Sequence, residues 1–579
     1  VVQSDQRFDR LGISPATNPA VLATSTWRPE HAWQEIRQVG EQWRLAATAL
    51  RANTGWSTPS GVDLPAAAAA HRGAAAFGLA GLADGQRVLV ELGHGGGAQT
   101  LGEPLGTMRL DDGLVVSAFP TDAGVLDRYL RLLAPHKGPR PLGATPRLGI
   151  GCRMTTAVWP GVFEAMRTYG FAANPVQNSV RELSTLDDVL AGRPPERNYA
   201  CGFGTIESGY TGSTYEGLWV AGALAALQEG ASLRYGADAD HLQVKRGPNG
   251  RARALELVKA SRYYTFFTLD MADMLHYDAL NATAATSFLD DNVANALERR
   301  AILAVHAGPL QAGNVTCWPT VELVNRYAAK YWDALDAFED LVREISALKD
   351  GQTFDLEFTV DEHPAEVNAF DCLTSPEELV FLLREIERRG LPVTHLAPNY
   401  GAEKGWDYRG TDGLEALGHR VAALQAIAGE FGVMLDFHSA DDLSAPVRAV
   451  LHRATGGWLH YKISPMLQLL FAEVLQDHYP EMFRRWWEDS LEYARREAVA
   501  GSDFAADCIR ADETGAHRGP SRHDQVFHHY GFAYVGRRTP DGKMPNREQF
   551  YTLSDEFYRA YQQCLVDYLG TLAVDLFER

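Results

Sequence analysis

Short apolar runs recur along most of this chain, bounded by polar residues and spaced too widely for hairpins. Residues 147–152 (RLGIGC), 170–176, 233–237 (LRYGA), 264–269 (YTFFTL), 354–360 (FDLEFTV), 393–397 (VTHLA), 433–437 (VMLDF) and 458–461 (WLHY) each read as a strand buried on both faces. Amphipathic helical patterns fill most of the gaps. Strands and helices in this alternation predict an α/β protein built on a (β/α)8 TIM-like barrel, with a doubly wound open sheet as the structural alternative. The interval 270–353 holds about three helices' worth of sequence, so an insertion is expected there.

Ahead of the barrel the pattern changes. Trp33, Ile36, Val39, Trp43, Ala46 and Leu50 recur at helical spacing within 29–52. Residues 87–93 (RVLVELG) read as a strand and are followed by His94-Gly95-Gly96-Gly97. An HGGG segment can form an oxyanion hole, and glycine-rich loops can cradle phosphate. No G-x-S-x-G elbow exists in the chain and the glycines do not fit G-x-G-x-x-G, so a plain loop is expected. A strand at 115–119 and a helix at 123–133 complete a small α/β unit, closed by the proline-rich linker 135–146. The expected division is an N-terminal α/β domain over 1–145, its first 60 residues an unassigned extension, and a barrel over 146–579 with a helical C-terminal extension.

Composition narrows the function. A formal net charge of −20 and the lack of a Lys/Arg cluster argue against a nucleic-acid partner. The 6 cysteines show no C-x-x-C spacing, so neither a zinc knuckle nor a disulfide framework is indicated. There is no apolar run of about 18 residues and no charged-then-apolar leader, which points away from a membrane and toward the cytoplasm. A small-molecule substrate is expected; a homo-oligomer is left open.

The residues beyond each strand suggest chemistry: Arg153, Gln177, then Asp238, Asp240 and His241, Asp270, Asp361 and Glu362, Asn399, His438 with Asp441, and His460 with Lys462. In a barrel such ends converge on one mouth. Imidazoles and carboxylates without thiolate suit one divalent ion, Mn, Ni, Co or Zn. The expected ligands are Glu362, His438 and His460, with His241 as the fourth. His363, His395, His452 and His529 fall off the pattern and are read as structural. Asp238 and Asp240, two apart, would share a face in extended backbone; with one neutralised by a metal or by Lys462, the other can act as general base. The competing reading is a pair that fixes a loop. Lys462 is expected to make a charge contact with a substrate oxygen in preference to a Schiff base.

The segments RLGIGCRM (147–154), QNSVREL (177–183), YGADADHL (235–242), YTFFTLD (264–270), FTVDE (358–362), HSADD (438–442), GWLHYK (457–462) and QVFHH (525–529) resemble the tagaturonate/fructuronate epimerase family of sugar-acid catabolism. The resemblance extends over roughly residues 60–579. It implies a metal-dependent enzyme that inverts carbon 4 of a ketohexuronate on a barrel, with Asp240, His241, Asp270, Glu362, His438, His460 and His528 at or near the site. Cys152, Gln243, His363 and Leu443 depart from the family's usual GIGDR, DHLK, VDETD and HSGSDK, removing two lysines and an aspartate. A neutral ketose of the fructose/tagatose type therefore stands beside the uronate as substrate.

In a 2-ketose the hydrogen on C4 is not α to the carbonyl, so enolisation alone does not reach it. A metal chelating the C2 carbonyl and C3 hydroxyl would stabilise an enediolate and let the C3–C4 bond break and re-form on the other face. Asp240 or Asp270 would carry the O4 proton beside Lys462, while Arg153, Gln177, Asp238, Asp441 and His528 bind substrate. The alternatives are direct proton exchange at C4, a metal-dependent aldolase on the same barrel, and a catalytically silent sugar-binding homologue.

Overall fold

A computed structural model describes residues 29–94, 101–200, 204–229, 233–247, 249–361, 367, 369–403, 405–438, 440–514, 520–521, 523–539 and 544–578. All eight apolar runs form strands: β1 (Arg147–Gly151), β2 (Ala172–Ser179), β3 (Tyr235–Gln243), β4 (Phe266–Asp270), β5 (Asp355–Thr359), β6 (His395–Ala397), β7 (Met434–Phe437) and β8 (His460–Ile463). They pair in chain order into one closed barrel, with Tyr461 of β8 opposite Leu148 of β1. Every pairing within it is parallel. Closure rules out the open sheet.

Three strand ends differ from the sequence expectation, with consequences for the site. β2 runs on to Ser179, so Gln177 lies within it. β3 runs on to Gln243, so Asp238, Asp240 and His241 lie within the strand and not beyond it. β8 begins at His460, paired with Arg147 at the entry end of the barrel.

The expected insertion between β4 and β5 holds the helix Ala296–His306, a hairpin of Leu310–Ala312 with Val315–Cys317, and the 29-residue helix Val321–Lys349. The C-terminal extension includes helices Pro465–His478, Pro480–Val499 and Asp503–Thr514, and ends on Asp555–Phe577. That last helix lies against Trp159–Tyr169, the helix after β1. A Cβ on Gly161 would stand 2.8 Å from Leu565 Cβ, so the two helices approach too closely for any side chain there. Among the described residues no helix is long and apolar enough to cross a membrane.

The N-terminal sheet keeps the expected strand and helix positions, as Arg87–His94, Leu114–Phe119 and Ala123–Leu133, but its pairing is antiparallel throughout. Both its faces are covered. Ala76, Ala80, Val88 and Val90 pack with Ile36, Trp43 and Leu50 of the N-terminal helices, while Phe77, Leu79, Leu89 and Phe119 join the core shared with the barrel. Burial on two sides gives its strands the continuous apolar character usually written by parallel sheets. The amphipathic stretch 29–52 is two helices, Pro29–Val39 and Trp43–Arg51, broken at Gly40, where φ is +56°.

A TIM-type barrel interior is normally layered with branched apolar side chains. Here Arg147, Asp238, Glu357, Asp355, His395, Asp436 and His460 project into it, each at most 2% exposed. At the entry end Arg147 pairs with Asp355 at 2.9 Å. The same carboxylate accepts the backbone N–H groups of Leu142 and Gly143, tying the segment ahead of β1 across the barrel floor. Asp355→Ala strands the guanidinium and frees that segment at once. It is expected to lower the unfolding free energy by about 3–5 kcal/mol, read as a reduced urea midpoint.

Candidate active site

Lys462 of β8 reaches across the barrel axis into a ring of acids. Its ammonium lies 3.0 Å from Asp238 Oδ2, 3.0 Å from Asp240 Oδ1 and 2.8 Å from Glu357 Oε2, and donates to Thr268 Oγ1 at 2.6 Å. Thr268 in turn donates to Asp238 Oδ1 at 3.0 Å. Asp238 and Asp240 therefore do share a face, as the spacing required. One ammonium cannot neutralise this many buried carboxylates. Burial, reinforced by the neighbouring Asp240 and Glu357 charges, outweighs Lys462 at Asp238 and lifts it to about 7. Burial also presses upward on Asp240, but Lys462, His241 and His438 win there and hold it below the usual carboxylate range. At Glu357 the charges of Lys462 and His438 again overcome burial and hold it well below. Lys462, despite burial, is held well above its ordinary value by Asp238, Glu357 and Asp240.

Above this ring sits a second group. The pairing of β3 with β4 shifts register between Ala239 and Leu242, and His241 adopts a left-handed φ of +46°. This bulge brings His241 to the mouth directly after Asp240, where regular alternation would turn it outward. Its Nδ1 lies 3.4 Å from Asp270 Oδ2, and Asp270 Oδ1 accepts the Ala272 N–H. Asp270 thus orients the imidazole. The His241 ring stands 4.8 Å from that of His438. His438 Nε2 is 2.8 Å from Glu357 Oε1 and its Nδ1 is 3.3 Å from Asp361 Oδ2. One ligand atom from each of His241, Asp361 and His438 lies within 4.8 Å of the others.

Both ring nitrogens of His438 and Oδ1 of Asp361 are buried and lack a hydrogen bond of acceptable direction, although carboxylates are near. Nitrogen and oxygen lone pairs gathered without bonding each other fit a shared cation, and this donor set suits a divalent transition metal. A deeper set, His395, Asp436 and His460, is equally compact, with His460 Nδ1 2.7 Å from Asp436 Oδ2. The local field separates the two. Burial would depress every one of these imidazoles, yet Asp361 and Glu357 raise His438 well above its ordinary value. Burial together with the charges of Lys462 and Arg147 drives His460 well below, and burial with Arg147 does the same at His395. The charges around His438 are thus negative and those around His460 positive.

A cavity opens over both groups, lined by Gln177, Ser179, Arg181, Glu182, Asp240, His241, His438, Asp441, Lys462, Ile463 and Ser464. The other expected residues are placed as follows. His460 is fully buried a layer below, so the expected gathering of His241, Glu362, His438 and His460 is not what forms; the strand starts where the sequence was read as ending it. Glu362 and His363 lie outside the described residues, as do the glycines of the HGGG segment. Arg153 stands behind the cavity wall, its Nε donating to Ser464 Oγ at 3.1 Å and its fork 3.4 Å from Glu182. Asp441 accepts the N–H groups of Ser464 and Met466, fixing the start of the helix after β8. His528 is near-buried beside Asp442, at 3.4 Å, away from the cavity lining. Asn399 holds the Cys372 carbonyl and the Gly401 N–H. Cys152 is buried against the Pro175 carbonyl, and burial pushes its thiol up to about 12.

The sequence reading did not select Glu357, Asp436, Thr268 or Arg181. Acidic residues inside otherwise apolar strands, FDLEFTV and VMLDF, were the available signal for the first two.

Comparison with known proteins agrees with this architecture. The profile of a family described as "UxaE: tagaturonate epimerase" matches residues 205–572. The tagaturonate/fructuronate epimerase of Thermotoga maritima is 29% identical over 294 residues, which make up 50% of this chain and 56% of that protein. The chain thus spans little more than half the length of the curated relative it matches. Among solved structures, the native fructuronate-tagaturonate epimerase UxaE from Cohnella laeviribosi superposes with a TM-score of 0.63 at 21% identity, covering 89% of this chain and 96% of that one. A glycerol complex of the same protein gives 0.62 at 21% identity, covering 92% and 99%. These structures share the fold.

Lys462→Met leaves the acids of the ring facing one another. In the parent, Glu357 is depressed by Lys462, so it contributes stability at neutral pH that is lost as pH falls. In the variant the folded-state carboxylates rise above their unfolded values, and the sign reverses: stability is greatest in acid and is lost as pH rises. A deficit of about 3–5 kcal/mol near pH 8, shrinking toward pH 5, is expected from melting temperatures taken across that range.

Proposed function

Since the chain belongs to the tagaturonate epimerase family, we propose that it inverts C4 of a ketohexuronate at the mouth of this barrel. The observation that carries the reading is the cluster of His241, Asp361 and His438, two of whose members, His241 and His438, line the same cavity as Asp240 and Lys462. His241, Asp361 and His438 would hold one divalent ion, Mn, Ni, Co or Zn. When bound, it supplies a Lewis acid that lowers the cost of negative charge on the ketose oxygens.

The chain's own residues handle protons and position. Asp240, the acid of the ring that lines the cavity, takes the O4 proton as the C3–C4 bond breaks, and returns it once the aldehyde has presented its other face and the bond has re-formed. Lys462, which bridges Asp240 and Asp238, keeps Asp240 ionised at rest and stabilises the charge it loses and regains. Asp238, poised at about 7, can hold a proton for the ring as a whole. Asp270 and Glu357 hold the imidazoles of His241 and His438 in place. Gln177, Ser179 and Ser464 offer hydrogen bonds to sugar hydroxyls.

An aldolase on the same scaffold would use the same bond cleavage and release the halves.

Turnover in heavy water tests the route. No deuterium at C4 is expected in the epimerised product by NMR; incorporation there would assign the reaction to direct proton exchange. Asp240→Asn is expected to lower kcat by about 10²–10⁴-fold.

The metal assignment has its own test. His438→Ala is expected to drop bound metal from about one ion per chain to near zero by mass spectrometry, whereas His460→Gln retains it. The reverse result would move the ion to the deeper set.

A further inference from the structure

A ketohexuronate brings a carboxylate, two carbons from the centre inverted, and something in the cavity must meet it. We propose that Arg181 is the residue that recognises this carboxylate and so sets the preference for a sugar acid over a neutral ketose. The inference rests on the epimerase reading above and adds to it the source of its substrate class.

Among the residues lining the cavity, the permanent cations are Arg181 and Lys462. Lys462 is already committed. An ammonium has three N–H donors, and these are directed to Asp240 at 3.0 Å, Thr268 at 2.6 Å and Glu357 at 2.8 Å. Turning one toward substrate would leave a buried carboxylate uncompensated, a larger loss than the contact could return. Arg153, the arginine first expected from the sequence, is engaged behind the wall with Ser464 and Glu182. Gln243 and Leu443 do not line the cavity; Leu443 is 1% exposed within the apolar core.

Arg181 has the required properties. It follows β2 at the mouth, is 6% exposed, and borders the same cavity as His241 and His438. Its backbone is held rigidly. The Arg181 N–H donates to Ser179 Oγ at 3.2 Å, and Ser179 is itself anchored through its N–H to Glu182 Oε2 at 2.7 Å. A guanidinium carries five donors in a planar fork matched to a carboxylate, so it can keep a protein contact and still take substrate in bidentate fashion. In a cavity also lined by the acids Glu182, Asp240 and Asp441, an anionic substrate needs such a partner.

The test compares Arg181→Met and Arg181→Lys with the parent on two ligands: the ketohexuronate, and the neutral ketose of the same skeleton with CH2OH in place of the carboxylate, used as substrate or competitive inhibitor. Arg181→Met is expected to raise KM for the uronate on the order of 100-fold while moving the neutral ketose by less than about threefold, and Arg181→Lys to recover part of the loss. A purely structural arginine would shift both ligands together, and that outcome overturns the proposal, as does an unchanged uronate KM. Parent protein that turns over the uronate separates failure of this assignment from failure of the epimerase reading; a parent inactive on the uronate overturns both.

Discussion

The barrel is organised around one buried charge. Lys462 sits within about 3 Å of Asp238, Asp240 and Glu357, and its presence allows acids from β3 and β5 to face each other across the axis. Removing two ions from water costs several kcal/mol each even after relaxation, so the ring holds only while each partner is supplied with opposite charge or a hydrogen bond. Thr268 meets part of that demand, and burial with the neighbouring charges raises Asp238 to about 7, which eases protonation there. The chemistry inferred for the mouth, a base kept ionised and a neighbour near neutrality, follows from too few cations for the acids present.

The same imbalance arranges the rest of the interior along the axis. Arg147 and its partner Asp355 close the entry end, and His460 and His395 lie within reach of the Arg147 charge. At the mouth the excess is negative, around His438 and Asp361. A single tunnel of buried side chains thus carries a field that changes sign along the axis. The bulge at His241 serves its negative end: a strained backbone position lets consecutive residues, Asp240 and His241, both face the mouth.

Much of this was legible in the sequence, and the reasons differ by element. The barrel strands announced themselves because burial on both faces leaves no alternation to decipher. Asp238, Asp240, His241 and His438 were selected as strand-end residues, and the structure gathers them although the first three lie within β3. The same rule failed at His460, since a four-residue strand misjudged by its start moves a side chain from floor to mouth or back. Glu357 and Asp436 were hidden because a reading that treats apolar runs as core does not look inside them. Arg181 was missed for the opposite reason: it lies two residues beyond Ser179, in a turn whose direction depends on the Ser179–Glu182 contact and not on any period. The antiparallel N-terminal sheet was taken for α/β because two covered faces erase the difference between the two kinds of strand.

A polar interior also shifts the burden of stability outward. Buried ion networks contribute little net stability compared with apolar packing of the same volume, so the fold must be held by its shell. The apolar core lies between the strands and their helices, as where Phe338 meets Phe358, and between helices, as where Phe471 meets Tyr561. The closing helix Asp555–Phe577 ties the first barrel helix to the end of the chain, with Tyr561 donating to the Leu467 carbonyl and Asp575 receiving Arg448. With closure secured there, β3, β5, β7 and β8 are free to carry acids, imidazoles and a lysine where a smaller barrel would need valine and isoleucine. Retaining a costly charged axis inside an adequate apolar shell is hard to account for by folding alone. It is the expected cost of a site that must move protons out of contact with water.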